Sequence, residues 1–181
     1  MSRRRLLLVA VLLQVLWLGL QWRRCARQWE ADRILKAVET STAETLASRR
    51  AAPAVLLRNA EELTRAEHLA PASASIRLAK GSQYLLLGRN ELAIQAYEAA
   101  LRLEPRPEIY LNLGRAQWRA GREESALGNF RLAVRLDPNL VRELPPAAVA
   151  TLRGRSADGS ALDGGEPDAS ELTSREQDPH D

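Results

Sequence analysis

The sequence predicts an all-α fold, a short solenoid of helical hairpins, on three observations. Six positions recur at a fixed interval: Gly88, Ala93, Tyr97, Ala100, Leu103 and Pro105 return as Gly121, Ala126, Phe130, Ala133, Leu136 and Pro138, each pair 33 residues apart and each keeping its chemical type. Nothing inside that period alternates apolar and polar residues as a strand would, and a period of this length is typical of stacked helical hairpins. Aromatic residues make up only 4% of the chain, so a core must rest on Leu, Ala and Val, which helices accept.

The composition bounds the rest. At 181 residues, 45% hydrophobic and 27% charged, the chain holds one ordinary domain with appendages. Charge is unevenly placed: residues 1–153 carry 24 basic and 15 acidic groups, residues 154–181 carry 2 and 8, a net of +9 against −6. Lys36 and Lys80 are the only lysines, and the arginines are spread rather than clustered, which disfavours nucleic acid as a partner. The single cysteine, Cys25, excludes an intramolecular disulfide.

Taken in order, residues 1–5 form a basic flank with Arg3, Arg4 and Arg5, and residues 6–22 carry no charge. Seventeen helical residues extend about 26 Å, against about 30 Å for a hydrocarbon core. Trp17 and Trp22 sit toward the end of this run, where indoles favour a lipid interface. Residues 6–22 are therefore expected to be a transmembrane helix. The rival, a cleaved signal peptide, lacks its small-x-small site. The arginine counts on the two sides nearly balance, and the expectation leans to a bacterial cytoplasmic membrane with the C-terminal domain outside, in the envelope.

From 23 to 48 there is neither proline nor glycine, and Ala31, Ile34, Leu35, Val38, Thr42, Thr45 and Leu46 recur at spacings of three and four, as in one amphipathic helix. Pro53 suits the first turn of the next helix, whose stripe of Val55, Leu56, Ala60, Leu63, Ala66 and Leu69 ends at Pro71. Residues 23–71 thus read as a membrane-proximal long helix and a degenerate hairpin, with Asn59 where the repeat has a small alanine.

Two clear hairpins follow, at 72–106 and 107–139. Gly88 and Gly121 fall where each first helix must turn, and Pro105 and Pro138 follow the second helices. Ala93 and Ala126 let the paired helices approach, and Tyr97 and Phe130 are large enough to fill the wedge between hairpins. Residues 140–153 are expected to form a capping helix over the exposed last face. Residues 154–181, rich in Gly, Ser and acid, read as a disordered acidic tail.

At this point the second clear unit resembles the tetratricopeptide repeat family, at Tyr110, Leu113, Gly114, Gly121, Ala126, Phe130, Ala133 and Pro138. The preceding unit is similar at Gly81, Tyr84, Gly88, Ala93, Tyr97, Ala100 and Pro105, but has Arg77 and Lys80 where the family usually has large apolar residues. The resemblance implies an interaction scaffold whose concave surface is lined by the first helix of each hairpin and takes a protein or peptide. It places Ser82, Leu85, Leu86, Leu111, Asn112, Arg115, Trp118 and Arg119 on or near that groove. Asn112 suits a peptide backbone, Arg115 and Arg119 suit carboxylates, and Trp118 serves equally as an apolar anchor or as a core residue. The family's carboxylate clamp of lysines and asparagines is not reproduced.

Chemistry of other kinds is not indicated. His68 and His180 have no partners at nucleophile or metal spacing, and no glycine-rich loop follows a strand. The expectation is a non-enzyme with no catalytic residue, cofactor, metal or small-molecule substrate. Two other readings stay open: an accessory subunit whose solenoid another protein completes in a membrane complex, and an arginine-rich binder of nucleic acid or anionic lipid.

Overall fold

The computed structural model describes residues 3–48 and 53–157, with side chains over 12–48 and 53–154. Among the described residues there are seven α-helices, one 3-10 turn and no strand: α1 (Arg3–Ala47), α2 (Pro53–Leu69), α3 (Ala74–Leu86), α4 (Asn90–Leu101), α5 (Pro107–Arg119), α6 (Glu123–Leu136), the 3-10 turn Pro138–Glu143, and α7 (Pro146–Ala157). Each helix from α1 to α6 packs on the next, so the chain forms three successive hairpins, α1–α2, α3–α4 and α5–α6. The first helices also touch one another, α1 with α3 and α3 with α5. They form one layer, and the tighter of two layers is the inner side of a curved solenoid. Residues from 145 onward form a separate unit, in which α7 is the described element.

Local chemistry sets the helix limits. Ser73 is extended and its hydroxyl accepts from the Ile76 amide at 3.4 Å, capping α3. Arg106 is likewise extended before Pro107, whose fixed φ opens α5. After α3 and α5 the chain reverses through Gly88 and Gly121, at φ of 72° and 77°, a conformation that a Cβ makes unfavourable. The turn carbonyls are satisfied: the Arg89 amide donates to Tyr84 O and the Arg122 amide to Gln117 O, at 2.8 and 2.9 Å.

The core runs in two connected segments. One joins Ala31, Ile34 and Val38 of α1 to Leu63, Ala66 and Ala70 beside α2 and to Ile76 of α3. The other joins Leu85 of α3 to Ala93, Ile94, Tyr97 and Ala100 of α4 and to Ile109, Leu113 and Ala116 of α5. Tyr97 and Phe130 are fully buried. Each lies directly on a glycine of its own hairpin: a Cβ on Gly81 would stand 2.5 Å from the Tyr97 ring, and one on Gly114 would stand 2.6 Å from Phe130. These rings therefore set the spacing inside a hairpin as well as filling the wedge beyond it.

The first hairpin is degenerate in sequence for a polar reason. Asn59 and Gln83 are buried, and both donate to the Thr42 hydroxyl, at 3.3 and 3.0 Å, while that hydroxyl donates to Val38 O at 2.8 Å. One threonine on α1 thus ties α2 to α3, and burial of the two amides is compensated by hydrogen bonds. Arg50, which stands where the repeat pattern has a large apolar residue, lies outside the described residues.

The transmembrane helix expected over 6–22 is overturned. Among the described residues no helix is long and apolar enough to cross a membrane. In α1 charges return at Arg23, Arg24, Arg27 and Glu30. The uncharged run of residues 6–22 that precedes them amounts to about 26 Å of helix, short of a hydrocarbon core of about 30 Å. The membrane localisation and orientation that rested on that span fall with it.

Candidate functional site

The positions expected from the sequence to line a groove lie on α3 and α5, which with residues 31–47 of α1 form the layer of first helices. Their environments differ. Leu85 and Leu111 are buried and belong to packing, whereas Leu86 is 41% exposed and Arg119 is exposed. Ser82, Asn112, Arg115 and Trp118 are half-buried. Leu46, near the end of α1, is a further apolar residue that is 58% exposed.

Most of the polar groups there already have partners. Ser82 donates to Leu78 O at 3.0 Å, and its oxygen lies 3.2 Å from the Tyr97 hydroxyl. Arg115 spans a gap between elements: Nη1 donates to Asn112 Oδ1 at 3.2 Å, and Nη2 reaches Glu143 through its backbone O at 2.7 Å and its carboxylate at 3.2 Å. Arg119 crosses from α5 to the end of α3, donating from Nη1 to Leu85 O at 3.0 Å. A guanidinium at that terminus also complements the helix dipole. The Trp118 ring lies 6.4 Å from Phe130 at 46°, a tilted contact that holds the half-buried indole against the core.

Two charge effects follow from burial. The Tyr97 phenol is pushed up to about 12, chiefly by its removal from water; the Ser82 hydrogen bond and the charges of Arg115 and Arg119 pull the other way. It stays neutral and acts as a structural hydroxyl. Glu67 is held below the usual carboxylate range: partial burial opposes its charge, and hydrogen bonds from Lys80 and Arg77, with their charges, outweigh that opposition. Arg77 Nε lies 2.8 Å and Lys80 Nζ 3.0 Å from the Glu67 oxygens. The two cations that depart from the family pattern in α3 are thus neutralised by a carboxylate on α2, in place of an apolar contact.

Sequence reasoning missed a second concavity. A groove of about 590 Å³ runs along the first hairpin, lined by Ile34, Ala37, Val38, Ser41 and Asn59 and rimmed by Arg33, Arg58 and Glu62. The signal was present in the stripe of α1, but nothing in the sequence showed that no hairpin precedes this face among the described residues. No group of three or more His, Cys, Asp or Glu side chains able to hold a metal occurs among them.

With this geometry in view, comparison with known proteins is informative. A sequence profile described as the tetratricopeptide repeat matches residues 49–105 and 78–141, together just over half of the chain. The chain belongs to the tetratricopeptide repeat family. Solved structures give the same fold. The tetratricopeptide domain of Arabidopsis OM64 superposes with a TM-score of 0.58 at 20% identity, covering 72% of this chain and 98% of that one. The first such domain of human RPAP3 gives 0.57 at 16% identity, covering 76% and 99%. A thermophilic tetratricopeptide protein of Thermus thermophilus gives 0.54 at 26% identity, covering 71% of this chain and 63% of that one. No curated protein sequence matches the chain.

The family assignment explains the positions that repeat. Gly81 with Tyr97 and Gly114 with Phe130 are one small-to-large contact made twice, 33 residues apart. Gly88 and Gly121 are the same turn made twice. Members of this family are protein-interaction modules, which sets the functional question as one of surface and partner.

Proposed function

We propose that this protein is an interaction scaffold that holds an extended peptide segment of a partner protein along the inner layer of its tetratricopeptide hairpins. The observation that carries the reading is the family's inner layer itself, with α1, α3 and α5 in direct contact and with Leu46, Leu86, Asn112, Trp118 and Arg119 reaching its surface. Leu46, Leu86 and the half-buried Trp118 supply apolar contact, while Asn112 and Arg119 supply hydrogen bonds. Arg115 is committed to Glu143 and Asn112, so its role is to fix the shape of the groove. A binding partner whose carboxylate competes with Glu143 would release it.

The test is co-purification with the intact chain, compared with Trp118→Ala and Arg119→Glu variants, followed by calorimetric titration of the identified partner. The two changes are expected to weaken binding by roughly tenfold or more each, the usual effect of losing an anchor, and the affinity is expected to survive moderate salt. Retention of the same partners at the same affinity by both variants would refute the groove. A steep loss of binding with salt would favour the electrostatic reading instead.

The open groove on the first hairpin supports a second reading, an accessory subunit whose solenoid is continued by a helix of another protein. In that case Arg58→Glu would abolish co-purification and Arg119→Glu would not.

A further inference from the structure

α1 is far longer than the hairpin it begins. Its buried residues Ala31, Ile34 and Val38 pack on α2, but every described side chain over residues 12–29 is exposed except Gln21, which is half-buried. The exposed residues include Leu12, Leu13, Val15, Leu16, Trp17, Leu18 and Leu20, which surround the helix, with Trp22 at 77% and Trp29 at 68%; beyond Arg23 only the face of Cys25, Ala26 and Trp29 continues this surface without charge. A helical segment that is this apolar and this bare implies a covering surface.

The spacing says what kind. Val15, Leu18, Trp22, Cys25 and Trp29 follow one another at intervals of three, four, three and four, which is the a and d seam of a coiled coil. Gln14, Gln21 and Gln28 recur every seven residues along one border of this seam, and Gly19 and Ala26 lie along the other. Between Trp22 and Trp29 the surface is indented. Trp22, Cys25, Ala26 and Trp29 enclose an almost wholly apolar hollow of about 260 Å³. Four residues at these spacings form the hole into which a facing helix inserts a knob.

We propose that a second copy of this chain covers the seam, the two α1 helices running parallel so that each Cys25 enters the hollow of the other. Three features favour self-pairing over another occupant. The seam and both its borders carry no charge from 14 to 29, so two copies do not bring like charges together. Arg23, Arg24 and Arg27 point away from it, and the seam ends where Asp32 would meet its own counterpart. Arg33 stacks over Trp29 with its guanidinium carbon 5.7 Å from the ring centre, holding the indole at the mouth of the hollow. Finally, at about 100° per residue the seam lies on the side of α1 opposite Ala31, Ile34 and Val38, so a second helix does not collide with α2.

The area is sufficient but small. With aromatic side chains burying about 150–250 Å² each, four indoles and the flanking Val15 and Leu18 pairs remove on the order of 1,000 Å² in total, the lower edge of a specific interface. Pairing joins two tetratricopeptide arrays in one particle, which raises the apparent affinity for any partner that presents two sites.

The experiment uses the full chain. Sedimentation gives its mass, and copper(II) phenanthroline, as added oxidant, converts two facing thiols to a disulfide, two copper(II) ions each taking one electron to become copper(I) while two protons pass to water. The wild type is expected to be a dimer that cross-links through Cys25, which is exposed and free. Cys25→Ser should stay dimeric without cross-linking. Trp22→Glu should lose the dimer and at least about tenfold of the cross-linked yield, with the melting of the hairpins unchanged. Trp17→Glu, on the other side of the helix and also exposed, should behave as wild type. A monomeric wild type would overturn the proposal, as would a dimer in which Cys25 fails to cross-link, which indicates antiparallel pairing. Equal disruption by Trp17→Glu and Trp22→Glu would also overturn it, because the association would then be unspecific clumping.

Discussion

Gly114→Ala tests the central packing contact of the repeat. In an isolated helix this change stabilises, because alanine has the higher propensity by about 1 kcal/mol. Here the new Cβ would lie 2.6 and 2.7 Å from Cε1 and Cδ1 of Phe130 and 3.2 Å from the backbone oxygen of Ala126. Relief requires the ring to move by nearly 1 Å toward ordinary contact, yet Phe130 is fully buried and the Ala126 oxygen belongs to the backbone of α6. Overpacking of this kind costs about 1–3 kcal/mol or somewhat more, so the propensity gain is offset and a net loss of roughly 1–2 kcal/mol is expected. Gly128→Ala is the control: it lies in α6, and a Cβ there meets nothing within 4 Å. That change should stabilise by up to about 1 kcal/mol. Urea unfolding followed by circular dichroism measures both. Pairing Gly114→Ala with Phe130→Leu should recover part of the loss, a coupling that a mutant cycle isolates. Equal stabilisation by the two glycine changes would refute the reasoning, because the ring would then be free to yield.

Other outcomes follow from the same structure. Gly121→Ala should destabilise by about 1–2 kcal/mol through backbone strain alone, since its φ is 77° and its side is open; thermal melting would show it. Glu67→Gln should destabilise by about 1–3 kcal/mol, because Arg77 and Lys80 would keep their places without a carboxylate between them. Because the carboxyl of Glu67 is depressed in the folded state, its contribution is present above the ordinary carboxylate range and lost as pH falls through the folded value; an acid titration of stability in wild type and variant checks this. Tyr97 behaves oppositely. Its raised value means that stability is full below pH 10 and declines as pH rises toward about 12, by roughly 2–3 kcal/mol, and Tyr97→Phe should flatten that alkaline decline.

Particular residues show how much could be read in advance. Gly81, Gly88, Gly114 and Gly121 were legible because a repeat displays its steric constraints twice, and the same contact or turn must be solved at each copy. The groove was legible only as a set of positions. Leu111 and Trp118 sit on the same helix, yet Leu111 is 2% exposed and Trp118 is half-buried against Phe130. Helical periodicity gives direction around an axis and cannot give the distance to the next helix. The membrane span was misjudged because a count of uncharged residues treats local apolarity as sufficient for crossing, while the uncharged run meets charge at Arg23 before it reaches the length of a hydrocarbon core.

The sequence by itself determined the class of fold, the period and the turns, because these depend on contacts within some 33 residues and on the φ and volume limits of single side chains. Only the tertiary structure decided which polar groups remain available. Arg115 is claimed by Glu143, 28 residues away, whereas Arg119 gives one nitrogen, Nη1, to a carbonyl of α3 and keeps the rest of its guanidinium for the proposed ligand. Thr42 draws together Asn59 and Gln83 from two other helices. Such pairings follow from how the hairpins stack. Each partner lies at a distance along the chain that no local pattern encodes, and the bare length of α1 became visible only when its packing on α2 was seen to begin near Ala31.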